Sequence, residues 1–154
     1  MNNEEKIRSE LIKKFNLAED KVRIKRERRI FVEVGPDIFR DVFDYAVDGL
    51  GFPVLCTITG LDEGANLAFI YHVASEGGIV LNIKTVIPKD RPFLKTITDR
   101  FPGADIYERE VTDLLGAKVA GLPEGNRYPL TDEWPAGEYP LRKDWKPPQI
   151  KGGG

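Results

Sequence analysis

The fold depends most on one stretch, PVLCTITGLDEGANLAFIYHVASEGGIVLNIKTVIP, residues 53–88. It contains three candidate strands, PVLCTITGL (53–61), NLAFIYHVAS (66–75) and GIVLNIKTVIP (78–88). The links between them, DEGA and EGG, are short and turn-like. A parallel crossover needs about a dozen residues or more, so these short links predict strands that pair antiparallel.

The segments before this stretch predict a helix, a strand with an interruption and a second helix. Residues 3–16 carry apolar side chains at helical spacing, and residues 37–50 do the same after Gly35-Pro36. Between them, KVRIKRERRIFVEV (21–34) has apolar residues on even positions, which is strand periodicity. Because Arg26 and Arg28 interrupt that pattern, we expect a turn or bulge near them.

After the three strands, residues 91–101 (RPFLKTITDRF) predict a helix that ends at Pro102-Gly103. A second helix is predicted over residues 105–115, with Asp105 as N-cap, Glu108 as its capping-box partner and Gly116 just past its end. The sequence therefore predicts an α+β fold, a mainly antiparallel sheet with helices on one face. We expect a body over residues 1–121 and an extended tail over residues 122–154.

The predicted tail is rich in proline and aromatic residues. It contains six of the eleven prolines and both tryptophans. Proline at this density excludes a continuous helix or central strand, yet disordered segments are normally poor in aromatics. The aromatic side chains therefore need cover, either from the chain's own body or from another protein. The enrichment of aromatic residues at interfaces favours a partner.

The predicted helix YEREVTDLLG (residues 107–116, opening at Asp105) places Glu110 beside apolar neighbours. Its apolar stripe is expected to hold Ile106, Val111, Leu114 and Leu115, and Glu110 lies four residues from both Ile106 and Leu114. A partly desolvated carboxylate needs a cation or several donors. The Glu110 carboxylate therefore reaches water, pairs with an arginine of this chain, or pairs with a residue of a partner protein. A catalytic pair with Glu108 is disfavoured, because residues two apart on a helix point in different directions.

The composition limits the class of protein and the kinds of site that this chain can form. With 154 residues, 41% hydrophobic, a single domain is expected, and no apolar run approaches the ~18 residues of a membrane span. The charged first residues lack the apolar centre of a signal peptide, which predicts a cytoplasmic location.

Cys56 is expected to be a small buried hydrophobe and His72 to pack or hydrogen-bond in its strand. One cysteine and one histidine exclude an internal disulfide and Cys/His-built zinc or iron–sulfur sites.

The stretch YEREVTDLLGAKVAGLPEGNRYPLTDEWPAGEYPLRKDW (107–145) carries two motif blocks in order. The first, E-R-E-x-x-D-L-x-G, runs from Glu108 to Gly116, and the second, P-L-R-K-D followed by an aromatic residue, runs from Pro140 to Trp145. With these blocks the chain resembles the respiratory-chain NADH dehydrogenase 30 kDa subunit family. That family includes the small subunit of membrane-bound, energy-converting nickel–iron hydrogenases.

The resemblance implies a structural subunit that binds no cofactor and has no catalytic or metal-binding residue of its own. It implies docking on a large, hydrogenase-like (49 kDa-type) subunit beside a small iron–sulfur subunit. Iron–sulfur clusters and, in hydrogenases, a nickel–iron centre would lie in those partners. The complex would move ions and sit on the cytoplasmic side of the membrane, with only indirect membrane contact for this chain and no nucleic acid. The residues expected at the subunit interface are Glu108, Arg109, Glu110, Asp113, Arg127, Tyr128, Trp134, Tyr139, Pro140, Leu141, Arg142, Lys143, Asp144 and Trp145.

Two departures bear on the type of complex. The family's NADH dehydrogenase members usually continue with a G-H-P-D-L-R-R type loop, whereas this chain has GLPEGNRYPL, with only Arg127 nearby, and is shorter. Both features favour the hydrogenase branch over an NADH- or F420-type quinone-linked dehydrogenase. A stand-alone RNA-binding module is the alternative from another class, because KVRIKRERR (21–29) has six basic residues. A solvated strand face or an acidic partner explains that segment more simply.

Overall fold

The structure is a computed structural model that describes residues 2–148. Within these residues, three α-helices and seven strands follow one another. In chain order they are α1 (Asn3–Phe15), β1 (Val22–Arg26), β2 (Arg29–Val34), α2 (Phe39–Asp48), β3 (Val54–Asp62), β4 (Asn66–Ala74), β5 (Val80–Pro88), β6 (Phe93–Lys95), α3 (Asp105–Leu115) and β7 (Lys118–Ala120).

Five strands form the main sheet in the order β1-β2-β5-β4-β3. The predicted antiparallel pairing of β3 with β4 and of β4 with β5 is confirmed. β1 and β2 form a hairpin at the interruption that the sequence indicated, where Arg28 has a positive φ of 58°. The Glu4 carboxylate accepts a hydrogen bond from the Arg28 N–H at 2.9 Å, which ties α1 to this turn. Only the β2–β5 pair in this sheet is parallel, so the sheet is mainly antiparallel.

The helices cover one face of the sheet, as predicted. Phe39 and Phe43 of α2 contact Tyr71 of β4, with ring centroids 4.5 and 5.8 Å apart. α1 packs on α2 through the Phe15–Tyr45 ring pair. α3 approaches β3 at Gly60, where any added side chain would collide with its Leu115. The α+β architecture predicted from the sequence is therefore confirmed.

The helix predicted over residues 91–101 is wrong. Residues Phe93–Lys95 form β6, which pairs parallel with β7, and turns follow. Three consecutive β-branched residues, Thr96, Ile97 and Thr98, are weak helix formers. The Ile97 N–H, which a helix would use internally, instead donates to the buried carboxylate of Glu108 at 2.7 Å. This tertiary hydrogen bond thus favours a non-helical segment, although the apolar residues have helical spacing.

The helix predicted over residues 105–115 is confirmed, but its predicted cap is wrong. Ala104 precedes it and makes no side-chain cap, and Asp105 is already its first residue. A short 3-10 turn over Pro102–Ala104 leads into the helix. The capping box with Glu108 is also absent, because that carboxylate reaches back to Thr96 and Ile97.

The predictions for the single histidine and the single cysteine have different outcomes. His72 hydrogen-bonds Thr59 at 2.8 Å and Asn82 at 2.5 Å across the open face of the sheet, which confirms its predicted structural role. The prediction that Cys56 is buried is wrong, because its side chain is exposed. The β3–β4 register shifts between Leu55 and Thr57, and this bulge takes Cys56 out of the alternating pattern.

From Gly121 to Pro148 the chain has no helix or strand and runs back over the body. The last six residues of the predicted tail, 149–154, lie outside the described residues. The division into a body and a tail stays a prediction.

Candidate functional site

The carboxylate of Glu108 lies inside the body. Its side chain is on the covered side of α3, and the residue is 1% exposed. It accepts hydrogen bonds from the Ile97 N–H and the Thr96 hydroxyl, both at 2.7 Å. Burial raises the pKa of Glu108, against the opposing effect of these two donors. Glu108 thus fastens the segment after β6 to α3.

Asp113 is buried near the C-terminal end of α3 and holds the beginning of the tail. One carboxylate oxygen accepts from the Leu130 N–H at 3.0 Å, and the other from Arg127 Nε at 3.3 Å. One turn earlier, the Arg109 guanidinium donates to the Pro123 carbonyl at 2.6 Å. The first part of the tail therefore follows α3.

The end of α3 is capped by the tail. The Leu141 N–H donates to the Leu114 carbonyl at 3.0 Å, and Arg142 Nε donates to the Leu115 carbonyl at 2.7 Å. The last carbonyls of a helix lack partners within it and attract cations. Gly116 follows with φ 77°, and a Cβ there would meet the Tyr139 ring at 2.5 Å, so only glycine fits this crossing.

Asp62, at the end of β3, holds the last part of the tail. Its carboxylate accepts from the Lys143 N–H at 2.8 Å, from Lys89 Nζ at 2.7 Å and from the Gly64 N–H at 2.8 Å. Lys89 also bridges to Asp144 at 3.0 Å. Burial alone would raise the pKa of Asp62, but Lys89 and the two N–H groups hold that pKa at about 2.

We call the body groups that hold the tail, together with the tail groups that they bind, the tail clasp. On the body side it comprises Asp62, Lys89, Arg109, Asp113 and the carbonyls of Leu114 and Leu115. On the tail side it comprises Pro123, Arg127, Leu130, Leu141, Arg142, Lys143 and Asp144.

The aromatic side chains of the tail cover one another in part. The Trp134 and Trp145 rings lie 5.7 Å apart, and both indole N–H groups donate to Glu138, at 2.8 and 3.1 Å. Arg142 stacks over Tyr139 at 4.7 Å. The described part of the tail thus contacts its own body, and its packing on a partner stays a prediction.

Several side chains remain turned outward. Ile106, assigned by the sequence to the covered stripe of α3, is 43% exposed, so that assignment is wrong, whereas Val111 and Leu115 are buried as predicted. Leu114, assigned to the same stripe, is only half-buried. Glu110 is half-buried and makes no ion pair or side-chain hydrogen bond within residues 2–148. Leu141 is 55% exposed beside Leu114. We call Ile106, Glu110, Leu114 and Leu141 the outward stripe.

The interface residues predicted from the sequence thus fall into two groups, and the interface itself stays a prediction. Contacts inside this chain involve Glu108, Arg109, Asp113, Arg127, Trp134, Tyr139, Arg142, Asp144, Trp145 and the main chain of Lys143. Glu110, Tyr128 and Leu141 face outward, and Pro140 is half-buried.

Sequence reasoning missed Asp62 and Lys89. Asp62 opens the turn between β3 and β4, so its sequence context indicates only a turn residue. Its partner Lys143 lies 81 positions away, and the hydrogen bond comes from that residue's main chain. No side-chain motif signals such a contact.

Three further features concern metal ions, membrane spans and nucleic acid. Within residues 2–148, no group of three or more His, Cys, Asp or Glu side chains is arranged to hold a metal ion. None of the helices in that range combines the length and the apolar character of a membrane span. In the basic segment 21–29, Lys21 pairs with Glu33 and Arg29 bonds to main-chain carbonyls. This arrangement adds no support for RNA binding.

The two motif blocks that meet in the tail clasp also match a known family. A sequence model described as respiratory-chain NADH dehydrogenase, 30 Kd subunit, matches residues 32–151. The chain belongs to this family. The resemblance inferred from residues 107–145 is thereby confirmed, and the match extends it over most of the body.

Relatives within the 30 kDa subunit family come from more than one type of complex. The C subunit of F(420)H(2) dehydrogenase from Methanosarcina mazei is 33% identical, over 86% of this chain and 85% of its own length. The beta subunit of the membrane-bound hydrogenase from Pyrococcus furiosus is 37% identical, over 55% of this chain and 51% of its own. A chain in the structure of the membrane-bound sulfane sulfur reductase, an archaeal respiratory membrane complex, superposes with a TM-score of 0.81. It is 30% identical, over 94% of this chain and 86% of that one.

Proposed function

We propose that this chain is a non-catalytic structural subunit of a membrane-bound, ion-translocating redox complex of the energy-converting hydrogenase type. In that complex it docks on the large catalytic subunit. Its family membership and its likeness to subunits of membrane-bound complexes support this proposal. Electrons would pass through iron–sulfur clusters and a nickel–iron centre of the partner subunits, and this chain would hold the large subunit in place.

The observation that carries the proposal is the outward stripe. Its carboxylate, Glu110, is half-buried between the exposed Ile106 and the half-buried Leu114 and has no cation within the described residues. A carboxylate in such surroundings gains most from a partner that brings an arginine or lysine together with apolar cover. This arrangement fits a protein surface better than it fits a small substrate.

The tail clasp would preorganise the outward stripe for binding. Because the Leu141 N–H is fixed on the Leu114 carbonyl, the tail adds an apolar side chain to the stripe before any partner binds. Tyr128, 43% exposed, would add an aromatic anchor. A surface that is ordered before association loses less conformational entropy on binding.

The remaining partners follow from the same proposal. We place a small iron–sulfur subunit beside the large one, and the whole complex on the cytoplasmic side of the membrane. This chain would be peripheral and would reach the membrane only through its partners. No nucleic acid takes part.

A quinone-linked complex of the F420 type is the second candidate. The relative from Methanosarcina mazei matches 86% of this chain, a larger share than the hydrogenase subunit matches. Both candidates predict the same docking surface and differ only in the chemistry of the partner. The partner proteins that co-purify with the tagged chain distinguish the two.

The test is co-purification of the large subunit with tagged variants. We expect Glu110→Arg to reduce recovery strongly, since leaving a buried charge unpaired costs ~2 kcal/mol or more, about thirty-fold in affinity. The matched control is Glu76→Arg, which changes an exposed acid in the β4–β5 turn. Truncation after Gly121 should leave a folded body that no longer retains the large subunit. Full recovery with both Glu110→Arg and the truncation contradicts the proposal.

A further inference from the structure

An apolar cleft opens at the N-terminal end of α3. It has a volume of about 250 Å³, and Leu55, Phe101 and Tyr107 form its larger walls. The turn Pro102–Ala104 completes the lining, and all of these residues are uncharged. The cleft is smaller than the roughly 300–1,000 Å³ of sites for drug-sized ligands. Its size and its uncharged walls suit a single apolar side chain.

The cleft adjoins the outward stripe. Tyr107 lies three residues before Glu110 and seven before Leu114, so these three side chains follow one another along the same side of α3. At the opposite wall, Leu55 is preceded by Val54, which is 52% exposed. A partner that covers the stripe therefore also reaches the cleft.

The part of the chain around the stripe has an excess of negative charge. Residues 101–148, which include α3 and the described tail, hold nine acids against six lysines and arginines, whereas residues 2–100 hold sixteen of each. Arg109 pairs with Asp105, and Arg127 pairs with Asp113, so both arginines already have acidic partners. A lysine or arginine of a partner therefore complements Glu110.

The surface of α3 suits a partner helix better than a partner strand. Main-chain groups in the middle of an α-helix bond within the helix, and its last carbonyls here accept from Leu141 and Arg142. An extended segment laid on the outward stripe would find no main-chain partners, and leaving such groups unpaired is costly. A helix satisfies its own main chain and presents only side chains.

The spacing of the two binding features also fits a helix. Side chains three or four residues apart on a helix have Cβ atoms about 5–6 Å apart. Tyr107, which walls the cleft, and Glu110 have this separation on α3. Two side chains three or four residues apart on a facing helix can therefore meet the cleft and the carboxylate together.

We propose that one α-helix of the large subunit covers the outward stripe. It carries an arginine or lysine opposite Glu110 and, three or four residues away, an apolar side chain that enters the cleft. This inference rests on the proposed function and specifies the element of the partner that binds. The cleft itself uses no residue of the stripe or of the tail, so it can be altered separately.

Gly103→Leu tests the cleft. A Cβ at Gly103 meets no atom within 4 Å, and the φ of this residue lies outside the left-handed region. The isolated chain should therefore melt at the wild-type temperature or slightly above it. Because the leucine takes the space of the partner's side chain, recovery of the large subunit with the tagged chain should fall about five-fold or more.

The matched control is Gly77→Leu, in the β4–β5 turn. A Cβ at Gly77 meets only Ser75 Oγ at 4.0 Å, and its φ is also outside the left-handed region. This variant adds the same side chain far from α3 in sequence and should leave recovery of the large subunit unchanged.

Photo-cross-linking in the purified complex identifies the occupant of the cleft. Val54 is replaced by p-benzoylphenylalanine, and the cross-linked peptide is identified by mass spectrometry. We expect one helix of the large subunit, in which an apolar residue lies three or four positions from an arginine or lysine. Cross-links that reach only this chain, a second copy of it, lipid or an extended segment overturn the proposal, as does the absence of any cross-link.

Failure of this inference differs from failure of the proposed function. If Gly103→Leu keeps full recovery while Glu110→Arg loses the large subunit, the cleft has no role in docking and the proposed function stands. If Gly103→Leu, Glu110→Arg and the truncation after Gly121 all keep full recovery, the docking surface itself is wrong.

Discussion

The sheet body and the tail are held by different kinds of contact. The body buries a continuous apolar core, with Phe43, Tyr71 and Leu81 fully covered. The tail is held mainly by a few directed hydrogen bonds to Asp62, Asp113 and the end of α3. Apolar burial is non-directional and tolerates small shifts, whereas each bond of the clasp depends on one group. Many residues of the family motifs therefore make contacts within this chain, and their role at a subunit interface stays a prediction.

From this difference we predict that the tail is a separate unit of stability. Regions with few buried apolar contacts open locally at lower free energy than the core. Both tryptophans of the chain lie in the tail. Tryptophan fluorescence therefore reports on the tail, and far-UV circular dichroism reports on the body.

The greatest loss of stability is expected in the body. Glu108→Ala removes the acceptor of the Ile97 N–H from a buried site and leaves a void, so we expect a loss of about 3 kcal/mol in the free energy of unfolding. Urea denaturation followed by circular dichroism measures it. Glu108→Gln keeps one acceptor oxygen and should cost less. If Glu108→Ala changes only the tryptophan signal, Glu108 belongs with the tail, and the division between the two regions is wrong.

Asp113→Ala should act on the tail first. Loss of the acceptor for the Leu130 N–H costs about 1–2 kcal/mol, so the tryptophans should become more exposed to quenchers while the circular dichroism keeps its native form. Trypsin should then cut faster at Arg127. Asp132→Ala, at an exposed acid of the tail, is the control. Equal melting of body and tail in Asp113→Ala would show that the two are one cooperative unit.

Acid should affect the two regions in opposite directions. The lowered pKa of Asp62 gives stability that is present above its ordinary value and lost as pH falls toward about 2. The pKa of Glu108 is raised, so its charge opposes folding, and protonation on acidification removes that penalty. We expect the tryptophan signal to change between about pH 4 and 2, before the body unfolds. Asp62→Asn should lack this step, and a step that persists there assigns it to another group.

The weakest effect on stability concerns Glu110. Because it has no partner within the described residues, Glu110→Ala should leave the free energy of unfolding of the isolated chain within about 0.5 kcal/mol. Thermal melting measures this. A clear loss of stability would mean that the carboxylate acts inside the chain, and the outward stripe would lose its central feature.

The sequence predicts most elements of the body but not the contacts by which the tail lies on it, for physical reasons. Period-two patterns and short turns are local signals, so they indicate the β3–β4–β5 meander. They also indicate a turn or bulge near Arg26 and Arg28, where the structure has the β1–β2 hairpin. The position of the tail depends on main-chain groups such as the Leu141 N–H, which carry no sequence signature. Residues 91–101 show helical spacing of apolar residues, yet a buried carboxylate and a three-residue strand determine their structure. Cys56 is displaced by a bulge that the alternating pattern does not reveal.

Hydrogen exchange of the isolated chain tests whether the body holds the tail without a partner. The N–H groups of Leu130, Leu141 and Lys143 donate to Asp113, to the Leu114 carbonyl and to Asp62. We expect these three amides to exchange more slowly than the exposed tail amides of Asp132 and Gly137. If all five exchange at the same unprotected rate until the large subunit is added, the tail is ordered by its partner and not by the clasp.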